Sequence, residues 1–371
     1  MMQRGIRIRL YPNNSQINKI TNIFGCKRFV RNYFLKYSIE TNDLNYNNWS
    51  KILTRLKQSE EYKFLKESDK FALQNSLKDL KASYNNFFTD IKKTKNKRRG
   101  FNKPVYISKK ELKQSYRTNY TNNNIEINDK YIKIPKVGKV KCSYNYDLSN
   151  IKIISLTITK TPSNEYYASL IYDKEKTVIV KTNKSVGIDL GVRTLITTSD
   201  NEKFINPIKL NELDKKIKRI QRKISKMKLN SNNRNKMRYK KAKLEKYKVN
   251  LMNDTIHKAT TKIIKEYDDI YLEDIDLIDL INKQEKRYNK RKLIATSLGK
   301  VRRFLEYKSI MYDKQIHYID RFYASSKMCS KCNNIYEVGE SKVYNCPVCK
   351  TKIDRDYNAA INILNYGLNN K

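Results

Sequence analysis

Four of the six cysteines stand in two closely spaced pairs near the end of the sequence. Two residues separate Cys329 from Cys332, thirteen residues follow, and two residues again separate Cys346 from Cys349. Two such pairs place four thiolates on two short turns, which is the ligand set of a tetrahedral Zn²⁺ site, and the intervening segment is long enough to fold back as a ribbon. Because all four ligands are cysteines, no coordination position stays open, and we expect a structural zinc. Two disulfides are the alternative, but a large basic chain without a secretory signal favours reduced thiols.

Three acidic residues lie in segments where an acid is unexpected. Asp189 lies within the run Ser185-Val-Gly-Ile-Asp-Leu-Gly-Val, and Glu273 lies near the end of the run Asp269-Ile-Tyr-Leu-Glu-Asp-Ile. Both runs are typical of β-strands. Asp356 lies at the predicted start of a helix, where an isolated acid most often serves as the N-cap. An acid in a β-branched run disfavours the sheet and is rarely buried without a partner. Three such acids suggest a shared cation.

The order of the predicted elements is that of an RNase H-like fold. A strand with Asp189 is followed by a hairpin, helices, a strand with Glu273, a helix, a further strand and a helix with Asp356. In this fold the three acids would converge on a pair of Mg²⁺ ions. Two hard cations about 4 Å apart activate a water molecule and stabilise the leaving 3′ oxygen of a phosphodiester. The predicted chemistry is therefore nucleic-acid strand cleavage.

Several motifs together resemble TnpB, the endonuclease family encoded by a class of insertion sequences and related to type V CRISPR nucleases. They are Gly187-Ile-Asp-Leu-Gly-Val, Leu272-Glu-Asp-Ile, the four-cysteine ribbon and Asp354-Arg-Asp-Tyr-Asn-Ala-Ala. The N-terminal segments Arg4-Gly-Ile-Arg-Ile-Arg-Leu-Tyr-Pro and Phe24-Gly-Cys-Lys-Arg-Phe-Val extend the resemblance nearly end to end. The resemblance implies a RuvC-like nuclease domain with three catalytic acids and a zinc ribbon inserted between the second and the third.

Two features of these motifs differ from, or are ambiguous within, the family pattern: the position of the third acid and the residue after each cysteine pair. The family's last acid falls in the Asp-x-Asp-x-Asn-Ala-Ala motif, and we assign it to the second aspartate, Asp356, with Asp354 as the alternative. The family often has glycine after each cysteine pair, whereas Asn333 and Lys350 stand there in this sequence. We expect these two residues to affect the geometry of the turns and not the number of ligands.

The excess of positive charge dominates the composition. The sequence has 79 Lys and Arg against 37 Asp and Glu, a net charge of +42. We expect such a chain to bind a polyanionic partner, and we expect the affinity to fall steeply as the salt concentration rises. The 28 tyrosines suit stacking on unpaired bases, although many must belong to the core. Without a membrane-length apolar run or a signal peptide, we expect a soluble protein of the cytoplasm, associated with the nucleoid, with no membrane partner and no small-molecule substrate.

The first half of the sequence alternates between strand and helix patterns. Residues 1–14 and 99–181 show the period of two that is typical of strands, and we predict that they form a small antiparallel β-barrel of the wedge type. Residues 15–98 have helical spacing and form a predicted recognition lobe inserted into that barrel. Residues 92–103 are a strongly basic linker, either a phosphate contact or a solvated loop.

The nuclease domain is predicted to span residues 182–371, with the zinc ribbon at 325–353 and a helical hairpin inserted at 209–250. The hairpin has an apolar heptad seam and an outer basic face suited to phosphate contacts. The seam is Leu210, Leu213, Ile217, Ile220, Ile224 and Met227, and the face is Lys215, Lys216, Arg219, Arg222 and Lys223. The predicted fold class is thus multidomain α/β plus β-barrel: an RNase H-like (RuvC) domain with an inserted zinc ribbon, and a small antiparallel barrel with an inserted helical bundle.

The function that we predict is RNA-guided cleavage of double-stranded DNA. The resemblance implies a guide RNA from the transposon end, a short target-adjacent DNA motif and cutting of both strands in turn at the RuvC-like site, with base pairing reading the remaining target. Two alternatives are a transposon DNA strand-transferase, which uses the same three acids, and a nuclease-inactive, guide-dependent repressor. Three intact acids near phosphates argue against the repressor.

Overall fold

The computed structural model describes residues 2–93, 102–175, 179–191, 194–274, 297–337, 339 and 341–370. The chain divides into two compact units, Met1–Glu175 and Lys176–Lys371. Most of the predicted basic linker, including Lys97, Arg98 and Arg99, lies outside the described residues. Within the described residues, no helix is both long and apolar enough to cross a membrane.

The first unit contains a curled antiparallel sheet of seven strands that forms a half-barrel. Its central strand, β1, pairs with β5 on one side and β7 on the other. The strand order is β2-β6-β7-β1-β5-β4-β3, so the small antiparallel barrel that we predicted is a half-barrel. Its two edge strands, β2 and β3, were not among the predicted strands. The strands are β1 Met2–Tyr11, β2 Gln114–Asn119, β3 Glu126–Ile127, β4 Tyr131–Ile134, β5 Gly138–Ser143, β6 Lys152–Lys160 and β7 Tyr166–Lys174.

Helices follow β1 in the first unit, in the region predicted to be helical. They are α1 Asn14–Thr41, α2 Tyr46–Leu56, a 3₁₀ helix Glu60–Glu67 and α3 Lys70–Lys93. Helix α1 begins with a capping box, in which the Asn13 side chain accepts from the Gln16 N–H and the Gln16 side chain accepts from the Asn13 N–H. The first turns of α1 contribute Ile20, Ile23 and Phe24 to the core of the half-barrel. The rest of α1 packs with α2 and α3 around the fully buried Trp49.

The second unit contains a mixed five-stranded sheet of order β10-β9-β8-β11-β12. Strands β8, β9 and β10 form an antiparallel meander, whereas β11 runs parallel to β8, and β12 runs parallel to β11. The two strands that carry predicted acids, β8 and β11, are therefore neighbours. The strands are β8 Ser185–Asp189, β9 Thr194–Thr198, β10 Lys203–Ile205, β11 Asp269–Glu273 and β12 Gln315–Ile319.

Helices cover both faces of this sheet. The described helices are α4 Lys209–Ser225, α5 Asn232–Glu266, α6 Leu298–Tyr312 and α7 Arg355–Asn369. Helices α5 and α6 pack on the face formed by Val186, Ile188, Ile270 and Leu272. Helix α7 packs on the opposite face, where Ile363 meets Tyr271 and Ile319.

The helical hairpin extends beyond its predicted end at residue 250. Helices α4 and α5 pack together, with Leu210, Leu213, Ile220 and Ile224 buried, but α5 continues unbroken to Glu266. The physical reason is a second buried stripe, because Met252, Ile256, Ala259 and Ile263 of α5 cover the sheet. The second helix is thus both an arm of the hairpin and a core helix.

A small two-stranded ribbon lies between β12 and α7 in the sequence. Strands β13 Val343–Asn345 and β14 Lys352–Asp354 pair antiparallel, and Tyr344 is fully buried beside Cys329 and Cys346. Helix α7 follows β14 directly. The ribbon is therefore joined to the helix that carries Asp356 without an intervening loop.

Candidate active site and metal centre

Side-chain alternation directs Asp189 and Glu273 to the same face of the sheet. Ile188 of β8 and Leu272 of β11 are buried against α5 and α6, and successive side chains of a strand point to opposite faces. Asp189 and Glu273 therefore point to the face that α7 covers. Ile188 pairs with Leu272 in the parallel register. Asp189 and Glu273 are the next residues of the two strands, so both acids lie at the same end of adjacent strands.

Helix α7 lies unusually close to this face because two glycines permit it. A Cβ atom on Gly187 would lie 2.2 Å from the Ala360 carbonyl oxygen, and a Cβ atom on Gly367 would lie 2.0 Å from the Tyr271 ring. Both distances are shorter than any van der Waals contact, so neither position accepts a larger side chain without movement of the helix. The close approach brings the first turn of α7, with Asp356, to the acid-bearing end of the sheet.

The three carboxylates form one electrostatic cluster. Burial, together with the charges of Asp356 and Glu273, raises the pKa of Asp189 to about 7. Burial also raises the pKa of Glu273 to about 7. The charges of Asp356 and Glu273 act on Asp189 because they lie near it, and a divalent cation would relieve that repulsion.

The donor set fits a hard divalent cation such as Mg²⁺, which prefers carboxylate oxygens. Within the part of the chain that the structure describes, the four cysteines are the one group of ligand atoms close enough together to hold a metal ion, and they lie within 4.8 Å of one another. The binding of a cation by the three acids stays a prediction.

Asp354 has a different environment from Asp356. It is the N-cap of α7 and accepts a hydrogen bond of 3.0 Å from the Tyr357 N–H, and its other oxygen lies 2.7 Å from Lys203 Nζ on β10. Burial raises the pKa of Asp354, but the Lys203 ion pair and the backbone N–H donors outweigh that effect and lower it. Asp354 is thus already committed to the helix start, which favours Asp356 as the third metal ligand.

The four predicted cysteine ligands meet at one point. The Sγ atoms of Cys329 and Cys349 are 3.5 Å apart, and so are those of Cys332 and Cys346. A disulfide would require about 2 Å, whereas thiolates at about 2.3 Å from one tetrahedral Zn²⁺ lie about 3.8 Å apart. The cluster therefore fits the predicted zinc site and does not fit the alternative of two disulfides.

Each cysteine pair is held in the same turn. The Asn333 N–H donates to the Cys329 carbonyl at 2.9 Å, and the Lys350 N–H donates to the Cys346 carbonyl at 3.1 Å. Both Asn333 and Lys350 have φ of 58°, the left-handed conformation that glycine adopts most easily. Both residues thus take the conformation that favours glycine, and the number of cysteine ligands stays four, as expected.

Several residues of this region were missed in the sequence. Asn358 and Asn362 of α7 are buried and bind the backbone of the first cysteine turn. Asp274, next to Glu273, accepts a hydrogen bond of 2.9 Å from Arg302 of α6. The two asparagines could have been found in the sequence, because two polar residues four apart interrupt an apolar helix face. The pairing of Arg302 with Asp274 and of Lys203 with Asp354 has no counterpart in the sequence pattern.

The predicted nucleic-acid contacts are partly accessible. The five basic residues of the outer face of α4 are exposed. On β1, the guanidinium groups of Arg7 and Arg9 lie 3.9 and 5.0 Å from the ring centroid of Tyr167, and Arg9 also forms a 3.0 Å ion pair with Glu165. The arginines of β1 are thus engaged within the half-barrel, and the α4 face is the freer of the two surfaces.

Comparison with known proteins adds to this geometry. Three family models match the chain, described as "Helix-turn-helix domain" over residues 1–42, "Probable transposase" over 169–284 and "Cas12f1-like, TNB domain" over 299–363. The third match contains all four cysteines and Asp356.

Among curated proteins, "Putative RNA-guided DNA endonuclease" of Streptomyces pristinaespiralis is 28% identical, with 99% of this chain and 90% of that protein covered. "TnpB-like protein L79" of Acanthamoeba polyphaga mimivirus is 32% identical, with 51% of this chain and 38% of that protein covered. A solved structure, "Cryo-EM structure of the Cas12f1-sgRNA-target DNA complex", is 12% identical with a TM-score of 0.47 over 98% of both chains, which is too low to support an argument.

The fold combines a mixed sheet that carries Asp189 and Glu273, a helix beside it whose first turn contains Asp356, and a four-cysteine centre that precedes this helix. With the motif of Asp354 to Ala360 and the matches along nearly the whole chain, the chain is similar to proteins of the TnpB family.

Proposed function

We propose that the protein is an RNA-guided DNA endonuclease that cleaves double-stranded DNA next to a short target-adjacent motif. The observation that carries the proposal is that Asp189 and Glu273 end adjacent parallel strands, Asp356 lies in the first turn of α7, and the charges of Glu273 and Asp356 act on Asp189. Relatives that match nearly the whole chain are named putative RNA-guided DNA endonucleases, which supports the guide-dependent activity. The proposed guide is an RNA from the transposon end, and the proposed place of action is the nucleoid in the cytoplasm.

The three carboxylates would hold two Mg²⁺ ions in an RNase H-like site. When bound, Mg²⁺ supplies Lewis acidity, activating water for attack on phosphorus and stabilising the leaving oxygen. The protein's own part is to present oxygen ligands from two rigid strands and one helix. Asp189 and Glu273 must lose their protons to act as metal ligands. Their burial beside the first turn of α7 would keep competing water away from the carboxylates.

The positive charge has a separate role in this proposal. The exposed face of Lys215, Lys216, Arg219, Arg222 and Lys223 would contact phosphates of the guide or of its duplex with the target. Such contacts bind without regard to sequence, so base pairing supplies the specificity. The four-cysteine centre would bind structural Zn²⁺, because four thiolates leave no position for a substrate.

The test is cleavage by the purified protein–RNA complex. The co-purifying RNA is sequenced, and a plasmid library with a matching target and a randomised flank is incubated with Mg²⁺. We expect one defined RNA species and cleavage next to one flanking motif. Asp189→Ala, Glu273→Ala and Asp356→Ala should each abolish cleavage and leave RNA binding intact.

Asp354→Ala is the matched control for the third acid. Loss of an N-cap costs about 1 kcal/mol, so this variant should stay folded and retain cleavage. Full activity of Asp356→Ala together with loss in Asp354→Ala would overturn our assignment. Full activity in all three acid variants would overturn the nuclease proposal.

Strand transfer is a second candidate, because the family model over residues 169–284 is described as a transposase. The same carboxylates serve both reactions, so the reaction products decide between them. Joined donor and target strands, with only random RNA fragments in the preparation, would indicate a strand-transferase.

A further inference from the structure

Two asparagines of α7 are buried in the middle of an apolar helix face. Asn358 is 0% exposed and Asn362 is 2% exposed, while Ala359, Ala360 and Ile363 beside them form the packing surface. A buried amide without partners would cost about 1–3 kcal/mol, so each needs a defined set of hydrogen bonds. All their protein partners belong to one short segment of the ribbon.

That segment surrounds the first cysteine. The side-chain oxygen Oδ1 of Asn358 accepts a hydrogen bond from the Ser330 N–H at 3.0 Å. The side-chain nitrogen Nδ2 of Asn358 donates to the backbone carbonyl of Met328 at 2.6 Å. Met328 and Ser330 are the two neighbours of Cys329 in the chain. Asn358 therefore holds the peptide groups on both sides of a zinc ligand.

Asn362 strengthens the same contact from the next helical turn. Its amide donates to the Met328 carbonyl at 2.7 Å and to the Ser325 carbonyl at 2.8 Å. Residues four apart lie on one helix face, so the two asparagines act on the cysteine turn together. They form four hydrogen bonds to three backbone groups of the segment 325–330, which lies outside the named helices and strands.

The contact matters because of what precedes Asn358. Asp356 lies two residues earlier in the first turn of α7, and β14 of the ribbon joins this helix start directly. The ribbon thus holds the start of α7 twice, through the chain at Asp354 and through the asparagines at the first cysteine turn. A turn that loses its metal loses the fixed backbone to which Asn358 and Asn362 bind.

We propose that Asn358 and Asn362 are positioning residues that transmit the zinc-loaded shape of the first cysteine turn to Asp356. The ribbon then sets how well the carboxylate cluster holds its divalent cation. This inference rests on the proposed function in one respect, namely that Asp189, Glu273 and Asp356 bind a cation.

The test measures cation binding directly. Mn²⁺ replaces Mg²⁺, and its dissociation constant for the protein–RNA complex is measured by electron paramagnetic resonance. Residues that orient metal ligands typically contribute 10–100-fold to affinity, so Asn358→Ala and Asn362→Ala should each weaken Mn²⁺ binding by about tenfold. Asn365→Ala, which changes an exposed asparagine of the same helix, should have no effect.

A zinc measurement separates positioning from general damage. Each variant should still contain one zinc per chain and bind RNA normally, but should release zinc to a chromogenic chelator faster than the unmodified protein. Asn362→Ala keeps both bonds of Asn358, so it remains informative if Asn358→Ala folds poorly. Cys332→Ser combined with Asn362→Ala should weaken Mn²⁺ binding no more than Cys332→Ser alone, because both act through one contact.

The outcomes are distinct. Unchanged Mn²⁺ affinity in both asparagine variants, with loss in Asp356→Ala, would overturn the positioning role and leave the proposed function standing. Unchanged Mn²⁺ affinity in Asp356→Ala would overturn the proposed function itself. Additive effects of Cys332→Ser and Asn362→Ala would show that the asparagines act without the cysteine turn and would also overturn the inference.

Discussion

The residue after each cysteine pair adopts a left-handed backbone conformation, although neither is glycine. For an L residue this conformation costs about 1–2 kcal/mol, and asparagine tolerates it better than lysine. Lys350, with φ of 58°, is exposed, and its conformation is imposed by the bond from its N–H to Cys346. The strain is thus local to the turn.

Lys350→Gly should stabilise the ribbon by about 1 kcal/mol, because glycine adopts this conformation without strain. The expected result is slower zinc release to a chelator and a higher unfolding temperature. Asn333→Gly is the control and should change both by less. Faster zinc release from Lys350→Gly would contradict this interpretation of the turn.

Lys308 of α6 is a buried cation that the proposed chemistry does not use. It is 5% exposed, and its Nζ donates to the His257 carbonyl at 2.9 Å and to the Thr260 and Thr261 hydroxyls at 2.7 Å each. Burial lowers the pKa of Lys308 to about 8. Above that pH the folded protein loses a proton that the unfolded chain keeps, so stability rises with pH.

Lys308→Met should remove this pH dependence. Between pH 7 and pH 10, the free energy of unfolding of the unmodified protein should rise relative to Lys308→Met by up to about 3 kcal/mol. Denaturant unfolding at the two pH values measures the difference, and the exposed Lys258→Met serves as the control. A difference that is the same at both pH values would contradict the buried, titrating lysine.

Prediction from sequence succeeded at this scale where the spacing of residues identifies a site. The four cysteines were identified by spacing alone, and they meet as expected. Lys203, Arg302 and the backbone around Cys329 escaped notice, because each matters only through a partner far away in the sequence. The catalytic role of Asp189, Glu273 and Asp356 stays a prediction.

At the scale of elements, the contact between α7 and β8 determines the geometry of the site. Gly187 of β8 faces the helix, and a side chain there would collide with the Ala360 carbonyl and with the Leu364 N–H, 2.6 Å from the added atom. Both clashes are with backbone, so they cannot be relieved by rotation of a side chain. The glycine is required by the close approach.

Gly187→Ala should push α7 away from the sheet, destabilising the second unit by about 3 kcal/mol or more and weakening the carboxylate cluster. Thermal unfolding and cleavage rate measure the two effects. Gly25→Ala, whose added atom has nothing within 4 Å, is the control and should be neutral or slightly stabilising. Normal cleavage and stability in Gly187→Ala would contradict the observed packing.

Elements with a strong periodic pattern were predictable, and short polar ones were not. The predicted strands that carry Asp189 and Glu273 are present, but the first ends at Asp189, before Leu190 and Gly191 of the predicted run, and the second ends at Glu273. Strands β2 and β10 were missed, since Gln114–Asn119 is mostly polar and Lys203–Ile205 has only three residues. Tertiary pairing creates both strands.

At the scale of the whole molecule, the net charge of +42 is carried mainly by exposed side chains, and the α4 face is one continuous part of it. Charge of this size acts through release of counterions from a nucleic acid. Many of the tyrosines have another role, because Tyr116, Tyr271 and Tyr344 are among the largest fully buried side chains.

Arg219→Gln and Arg222→Gln should each weaken guide RNA binding uniformly and reduce the slope of log affinity against log salt by about 1. Filter binding at several salt concentrations measures the slope. Lys258→Gln is the control, because Lys258 is already paired with Asp254 at 2.7 Å. An unchanged slope in both arginine variants would remove the α4 face from the nucleic-acid interface.

The most direct measurement is the position of bound Mn²⁺ in an experimental structure of the complex, from its anomalous scattering. We predict two peaks at the acid-bearing end of the sheet, each about 2 Å from carboxylate oxygens of Asp189, Glu273 or Asp356. Absence of Mn²⁺ from this cluster, with ions bound by other acidic residues, would contradict the proposal that these three acids form a shared cation site.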